Sequence, residues 1–281
     1  MKKKQKSPNA KKRTGICKLT HASGVFVESH LIPKALTKPA QKGMPFLQLR
    51  LNRPPIRRWS SWYDPWLVTQ TGEDILTEFD TWAITELRKH KLVWSSWGAN
   101  HILGSLHRPI TGTSWGIRKV DGIDPKKLRL FFLTLLWRAA ATNLPEFSAV
   151  QLPLEDLEQL RQMICSRTTE PISFYPAQLT QLSTMGVIHN HAPIPETKKI
   201  PSLQPGIPDR ELPIIRFYFD GLIAHIHCHS SDAGFTSGLG NLIVGAEDSL
   251  IVSMQTYMDS YQGARLRAMV PNLLFQGDSA Q

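Results

Sequence analysis

His30 closes the alternating run V-F-V-E-S-H (residues 25–30) and is followed by L-I-P-K-A-L (residues 31–36), with Lys34 just after Pro33. Alternation with period two is the signature of a half-buried strand, and the six residues after it read as the start of a helix. The spacing therefore predicts a histidine held at a strand end beside a helix. An imidazole so placed can take a proton from water. Hydrolysis of a phosphodiester around one metal ion needs such a base. It also needs a divalent cation to hold the phosphate, and positive charge to bring in the backbone. The other reading of His30 is a neutral, hydrogen-bonded histidine in a core or helix cap.

The positive charge is present and unevenly spread. Residues 1–60 hold 15 Lys or Arg and one acid, Glu28, a net of +14, so with +10 for the whole chain the remainder sums to −4. A basic front on a nearly neutral body suits a phosphate backbone, with DNA the expected partner. Lys11, Lys12 and Arg13 close the basic N-terminus. Lys34, Lys38, Arg57 and Arg58 carry the charge into a segment that reads as folded, and these seven are the candidate phosphate contacts. For the N-terminal tail alone, a solubilising role is the other reading.

Several classes are set aside. The strongest apolar run, L-F-F-L-T-L-L-W (residues 130–137), is far shorter than the roughly 20 residues of a membrane span and is closed by Arg138. The basic N-terminus lacks the apolar stretch of a secretory signal, so a cytoplasmic protein without membrane contact is expected. Cys17, Cys165 and Cys228 are odd in number and far apart, which suggests neither a disulfide framework nor a cysteine-only zinc site.

The elements that would position this chemistry come from periodicity. Apolar residues at Ile75, Phe79, Trp82, Ala83 and Leu87, with acids first and Arg88, Lys89 and Lys91 last, predict a helix over 73–91. Asp124-Pro125 is an N-cap followed by a proline suited to the first turn, opening a buried helix to about Thr142. An amphipathic helix follows Pro153. Trp59, Trp62 and Trp66 are read as core residues in preference to base-stacking platforms. Six prolines within residues 192–213 suggest a linker or wrapping loop. Beyond them, runs at 214–219 and 222–229 flank Asp220-Gly221, a type I′ hairpin signal. Runs at 241–244 and 250–257 complete a small antiparallel sheet, making the chain α+β. His225, His227 and His229 alternate, so all three should share one face, read as a solvated or partly buried strand face and not as a metal site.

Cys17-Lys-Leu19-Thr20, then Ser29-His30-Leu31-Ile32-Pro33-Lys34, and Leu76-Thr77-Glu78-Phe79-Asp80 resemble the HNH endonuclease superfamily. The nearest pattern is the bacterial group with Cys-x-Leu-Cys, Ser-His-Ile-Ile-Pro-Lys and a later Leu-Cys-x-x-Cys-Glu. Residues 128–140, L-R-L-F-F-L-T-L-L-W-R-A-A, are similar to the helix that follows in that group. The resemblance implies a ββα metal-binding fold with His30 as general base and Asp80 as a metal ligand. Glu73, seven residues earlier and about two helical turns away, projects from nearly the same side as a second ligand. Magnesium or manganese would be the cofactor, and Lys34 would neutralise charge at the scissile phosphate. Only Cys17 remains of four zinc thiolates, with Thr20, Thr77 and Phe79 in the other places, so structural zinc is not expected and packing by Phe26, Val27, Phe79 and Trp82 should replace it. Ser29 stands where an acid commonly precedes the histidine, and a hydroxyl is a poor magnesium ligand. His189-Asn190-His191 spells the family's letters only by coincidence.

The expected organisation is a basic tail over 1–13, an HNH-like region over 14–125, a helical region over 126–191, the proline-rich segment over 192–213 and the sheet over 214–281. The expected activity is metal-dependent DNA cleavage. A degenerate, non-cleaving nucleic-acid-binding protein is the alternative, and a protein-interaction module a third class.

Overall fold

The computed structural model describes residues 13–37, 45–50, 53–200, 210–228 and 239–269. In chain order its strands and helices are β1 (Thr14–Ile16), β2 (Ser23–Val25), β3 (Ser29–His30), β4 (Phe46–Arg50), β5 (Arg53–Arg58), β6 (Tyr63–Asp64) and α1 (Gln70–Lys89). Then come β7 (Arg108–Pro109), β8 (Trp115–Val120), α2 (Pro125–Ala141) and α3 (Leu154–Ser166). The chain continues through β9 (Ala177–Leu182), β10 (His189–Ile200), β11 (Arg210–Phe219), β12 (Leu222–His227), β13 (Leu250–Gln255) and α4 (Tyr261–Met269).

The chain is α+β, as its pattern predicts, but the sheet is neither small nor C-terminal. Nine strands join in the order β5-β4-β10-β11-β12-β9-β13-β8-β7, with β4–β10 and β9–β13 parallel and the other pairs antiparallel. Local periodicity shows β11, β12 and β13. It does not show that strands from residues 46–58, 108–120 and 177–182 are drawn into the same sheet, because those pairings join segments distant in sequence.

The proline-rich stretch also differs from expectation, since its described parts, residues 192–200 and 210–213, are strand. β10 pairs with β4 only through His189, Asn190 and His191, and with β11 along its length. Pro193 and Pro195 fall beyond the β4 pairing, after a register shift between His191 and Ile194. There, among the described residues, β10 has no ladder on its β4 side for a missing N–H to break.

At Asp220 and Gly221 φ is +50° and +78°, the type I′ geometry that joins β11 to β12. Gly221 is required twice over, because a Cβ there would lie 2.3 Å from the Trp94 indole. The run V-F-V-E-S-H is split between β2 and β3, and L-I-P-K-A-L makes a single 3₁₀ turn over Lys34–Leu36 in place of a longer helix.

α2 is the central helix. Asp124 accepts a hydrogen bond from the Lys127 amide at 2.9 Å, the expected cap, and nearly every later residue is buried. Its apolar faces pack with α1, α3 and one face of the sheet, where Ile215, Phe217, Phe219, Leu222, Ala224 and Ile226 alternate inward. Arg129, fully buried, donates to the carbonyls of Thr169, Pro171, Phe174 and Tyr175, and burial holds its pKa down to about 10. Among the described residues no helix is long and apolar enough to cross a membrane.

Candidate functional site

β3 and β6 form an antiparallel pair, Ser29 opposite Asp64 and His30 opposite Tyr63, and α1 begins soon after β6. The order is strand, strand, helix, although the insertion between the strands carries β4 and β5. The Leu31 amide donates to the Trp62 carbonyl at 3.1 Å, and the Asp64 carboxylate accepts from the Trp66 amide (2.8 Å) and the Thr142 hydroxyl (2.6 Å). These bonds tie β6 to the end of α2 and fix the strand opposite His30.

Ahead of this pair stands a hairpin, β1 with β2, whose turn carries Cys17. Its sulfur accepts from the Thr20 amide at 3.4 Å and lies against the first turn of α1. Burial pushes the Cys17 thiol up, but hydrogen bonds from Thr20 and Thr69 outweigh it and leave the pKa below that of an ordinary thiol. Of the other places expected for thiolates, Thr77 is exposed and Phe79 is buried. Phe79 shares one core with Cys17 and Leu19, and Val27 and Trp82 pack against it; Phe26 instead meets the Trp66 ring edge-on at 5.7 Å. The turn between β1 and β2 is held by this packing and by backbone hydrogen bonds such as those of the Cys17 and His21 amides.

Asp80 and Arg138 each act electrostatically on both His30 and Glu73, so the pair stands between the two. This buried arginine of α2 grips both oxygens of Asp80, one at 2.9 Å, and donates to the His30 carbonyl at 3.0 Å. It also donates to the Thr134 hydroxyl at 2.9 Å. A planar guanidinium matches a carboxylate with two parallel bonds, so the Asp80 charge is compensated within the fold. Sequence reasoning passed over Arg138; the available signal was a lone cation inside the apolar run F-F-L-T-L-L-W-R-A-A.

The protonation states follow from this setting. His30 is half-buried, and desolvation first, then the charges of Lys34 and Arg138, lower its pKa against the opposite pull of Asp80 and Glu28. It is neutral at pH 7 and able to accept a proton. Burial raises Glu73, while Ser29 and Arg138 pull it down. The Ser29 hydroxyl, fully buried, faces this carboxylate, yet neither Ser29 Oγ nor Glu73 Oε2 completes a well-formed hydrogen bond.

No family model, curated protein or solved structure matches the chain.

The residues do not fit a divalent cation well as they stand. Both Asp80 oxygens already accept from Arg138, whose charge compensates the carboxylate and would repel a second cation from the same pocket, and the Ser29 hydroxyl is a weak donor to magnesium. Among the described residues, no three His, Cys, Asp or Glu side chains gather in a way that could hold a metal ion.

The basic candidates are more scattered. Lys34 is exposed beside His30 and acts on it through charge. Arg57 and Arg58 are exposed on β5, the edge of the large sheet, with Arg58 3.4 Å from Glu146. Arg13 is exposed and lies over the Trp66 ring at 5.0 Å. Lys11, Lys12 and Lys38 lie outside the described residues. Trp62 is in the core, edge-on to Phe147 at 5.6 Å, as expected, whereas Trp59 and Trp66 are more than half exposed. His189, Asn190 and His191 are buried in β10, where His189 stacks on Tyr218 and the Asn190 amide holds the Thr37 carbonyl at 3.1 Å. His225 and His227 share one face of β12, and His229 lies outside the described residues.

Proposed function

We propose that this chain binds nucleic acid, DNA in the first place, through its basic front on an HNH-like strand-strand-helix scaffold, with Arg138 supplying the positive charge that the acids of that scaffold face. The observation that carries the binding is the excess of 15 basic residues over one acid in residues 1–60, of which Arg13, Lys34, Arg57 and Arg58 are exposed. Exposed cations release counterions when they meet phosphates, which drives association without reading sequence. Exposed Trp59 and Trp66 offer flat surfaces against bases.

The second reading is cleavage. It is favoured by a neutral His30 beside Lys34, and by the buried Ser29 hydroxyl and Glu73 oxygen that lack well-formed hydrogen bonds. His30 would then take the proton of the attacking water, and Lys34 would face the phosphate.

One experiment separates the two. Purified protein is titrated onto plasmid and a duplex oligonucleotide at rising salt, and the plasmid is assayed for nicking with magnesium or manganese beside His30→Ala. The proposal expects binding that weakens steeply with salt and no nicking above the metal-only control. Nicking by the wild type that His30→Ala abolishes would establish the second reading. Absence of salt-sensitive binding would overturn both and favour a protein-interaction role.

A further inference from the structure

The sheet has two unlike faces. One is the apolar face under α1, α2 and α3; the other carries Glu196 and Lys198 of β10, Ile214 and Arg216 of β11, Ile223 and His225 of β12 and Thr180 of β9. The register places these side by side, Glu196 opposite Ile214, Arg216 opposite His225 and Ile223 opposite Thr180. The N-terminal end of α4 closes one side with Tyr261 and Ala264, and Trp115 of β8 closes another. Between them is a cavity of about 730 Å³, within the size range of small-molecule sites.

Charge is unbalanced around it. Arg216 and Arg265 share the Glu196 carboxylate, at 2.9 and 2.8 Å. Lys198 has no acidic partner among the described residues, and its ammonium donates to the neutral Gln178 amide oxygen at 3.0 Å. The lining holds Lys198, Lys199 and Arg216 against Glu196 and Asp259. Lys199 lies 3.4 Å from Glu211 and Asp259 accepts from the Thr256 hydroxyl at 2.6 Å, so among the described residues Lys198 is the lining cation left without a carboxylate of its own. Arg216 is 3% exposed and held in place by Glu196, Gln262 and the Tyr261 ring beneath it at 4.8 Å. A desolvated cation without a counterion is costly, and the cost falls when an anion enters. Lys198 lines the cavity, and burial lowers its pKa.

We propose that this cavity is a binding site for a small organic anion, its acidic group seated at Lys198, with the positive charge of Arg216 in the wall behind it, and its apolar body against Ile214, Ile223 and Tyr261. The site is separate from the His30 region and independent of nucleic-acid binding. The apolar lining excludes a bare inorganic ion as the best occupant, because phosphate alone would leave that surface unmatched.

The test uses 8-anilinonaphthalene-1-sulfonate as the anionic probe and N-phenyl-1-naphthylamine, which lacks the sulfonate, as its neutral counterpart. Both are titrated by fluorescence onto the full chain and onto Lys198→Met and Lys198→Arg. The expected result is saturable sulfonate binding that Lys198→Met weakens about tenfold or more and Lys198→Arg largely restores, with the neutral probe unaffected. Equal loss of both probes would make this an apolar cavity and overturn the anionic class. Sulfonate binding unchanged by Lys198→Met, or no binding to the folded chain, would overturn the site itself.

Discussion

Arg138→Met removes the guanidinium that joins three elements, and its cost can be worked from the bonds it breaks. The side chain is 1% exposed and donates to both Asp80 oxygens, to the His30 carbonyl and to the Thr134 hydroxyl. Methionine fills much of the stem volume, so little of the loss is cavity. What remains is an unpaired carboxylate on Asp80 and an orphaned carbonyl on β3. The side chain of Asp80 is 17% exposed, so water relieves it only in part. Breaking one partner of a buried pair costs about 3–5 kcal/mol, and the partial hydration of Asp80 places this site near the lower end. That lowers Tm by about 10 °C, at roughly 2–4 °C per kcal/mol for a domain of this size. Urea unfolding followed by tryptophan fluorescence gives the free energy directly. Asp80→Leu combined with Arg138→Met replaces the ion pair by apolar groups, and it should cost clearly less than the sum of the single variants. A loss below about 1 kcal/mol for Arg138→Met, or additive costs in the double variant, would refute the view that this pair anchors β3 and α1 on α2.

Three further outcomes are expected. Gly72→Ala improves intrinsic helix propensity by about 1 kcal/mol, yet its Cβ would lie 2.6 Å from Cys17 Sγ and 2.9 Å from Val68 Cβ, so thermal melts should show net destabilisation, relieved in part by adding Cys17→Ala. Burial lowers His189 to about 4 and both His191 and His227 to about 3. The unfolded chain therefore binds more protons below its histidine pKa of about 6.5. Stability is whole above that pH and should fall as pH drops from 6.5 towards 4, by up to about 1.4 kcal/mol per unit for each histidine; a flat Tm between pH 7 and 5 would contradict it. Burial raises Asp220 to about 6, against an opposing contribution from its bonds to the Ser95 amide. A raised carboxyl favours folding at low pH and loses that contribution as pH climbs through 6, so Asp220→Asn should stabilise the protein above pH 6 and be neutral near pH 4.

Where structure is local, the residues sufficed. The periodicity of Ile75, Phe79, Ala83 and Leu87 marks α1, the Asp124-Pro125 pair starts α2, and Asp220-Gly221 dictates its turn, because each depends on neighbours within a few positions. The alternation of His225 with His227 likewise places both rings on one face. The nine-stranded order could not be read this way, since β4 meets β10 and β9 meets β13 across long stretches of chain, and local patterns carry no address for a distant partner. For the same reason the prolines at 193 and 195 suggested a loop: their tolerance in β10 depends on where β4 stops. The candidate site divides along the same line. His30, Glu73 and Asp80 are legible as residue types at meaningful spacing. That Asp80 is already gripped by Arg138, and that Lys198 and Arg216 line one cavity, was decided only by tertiary packing, which sets the company a charge must keep once water is removed.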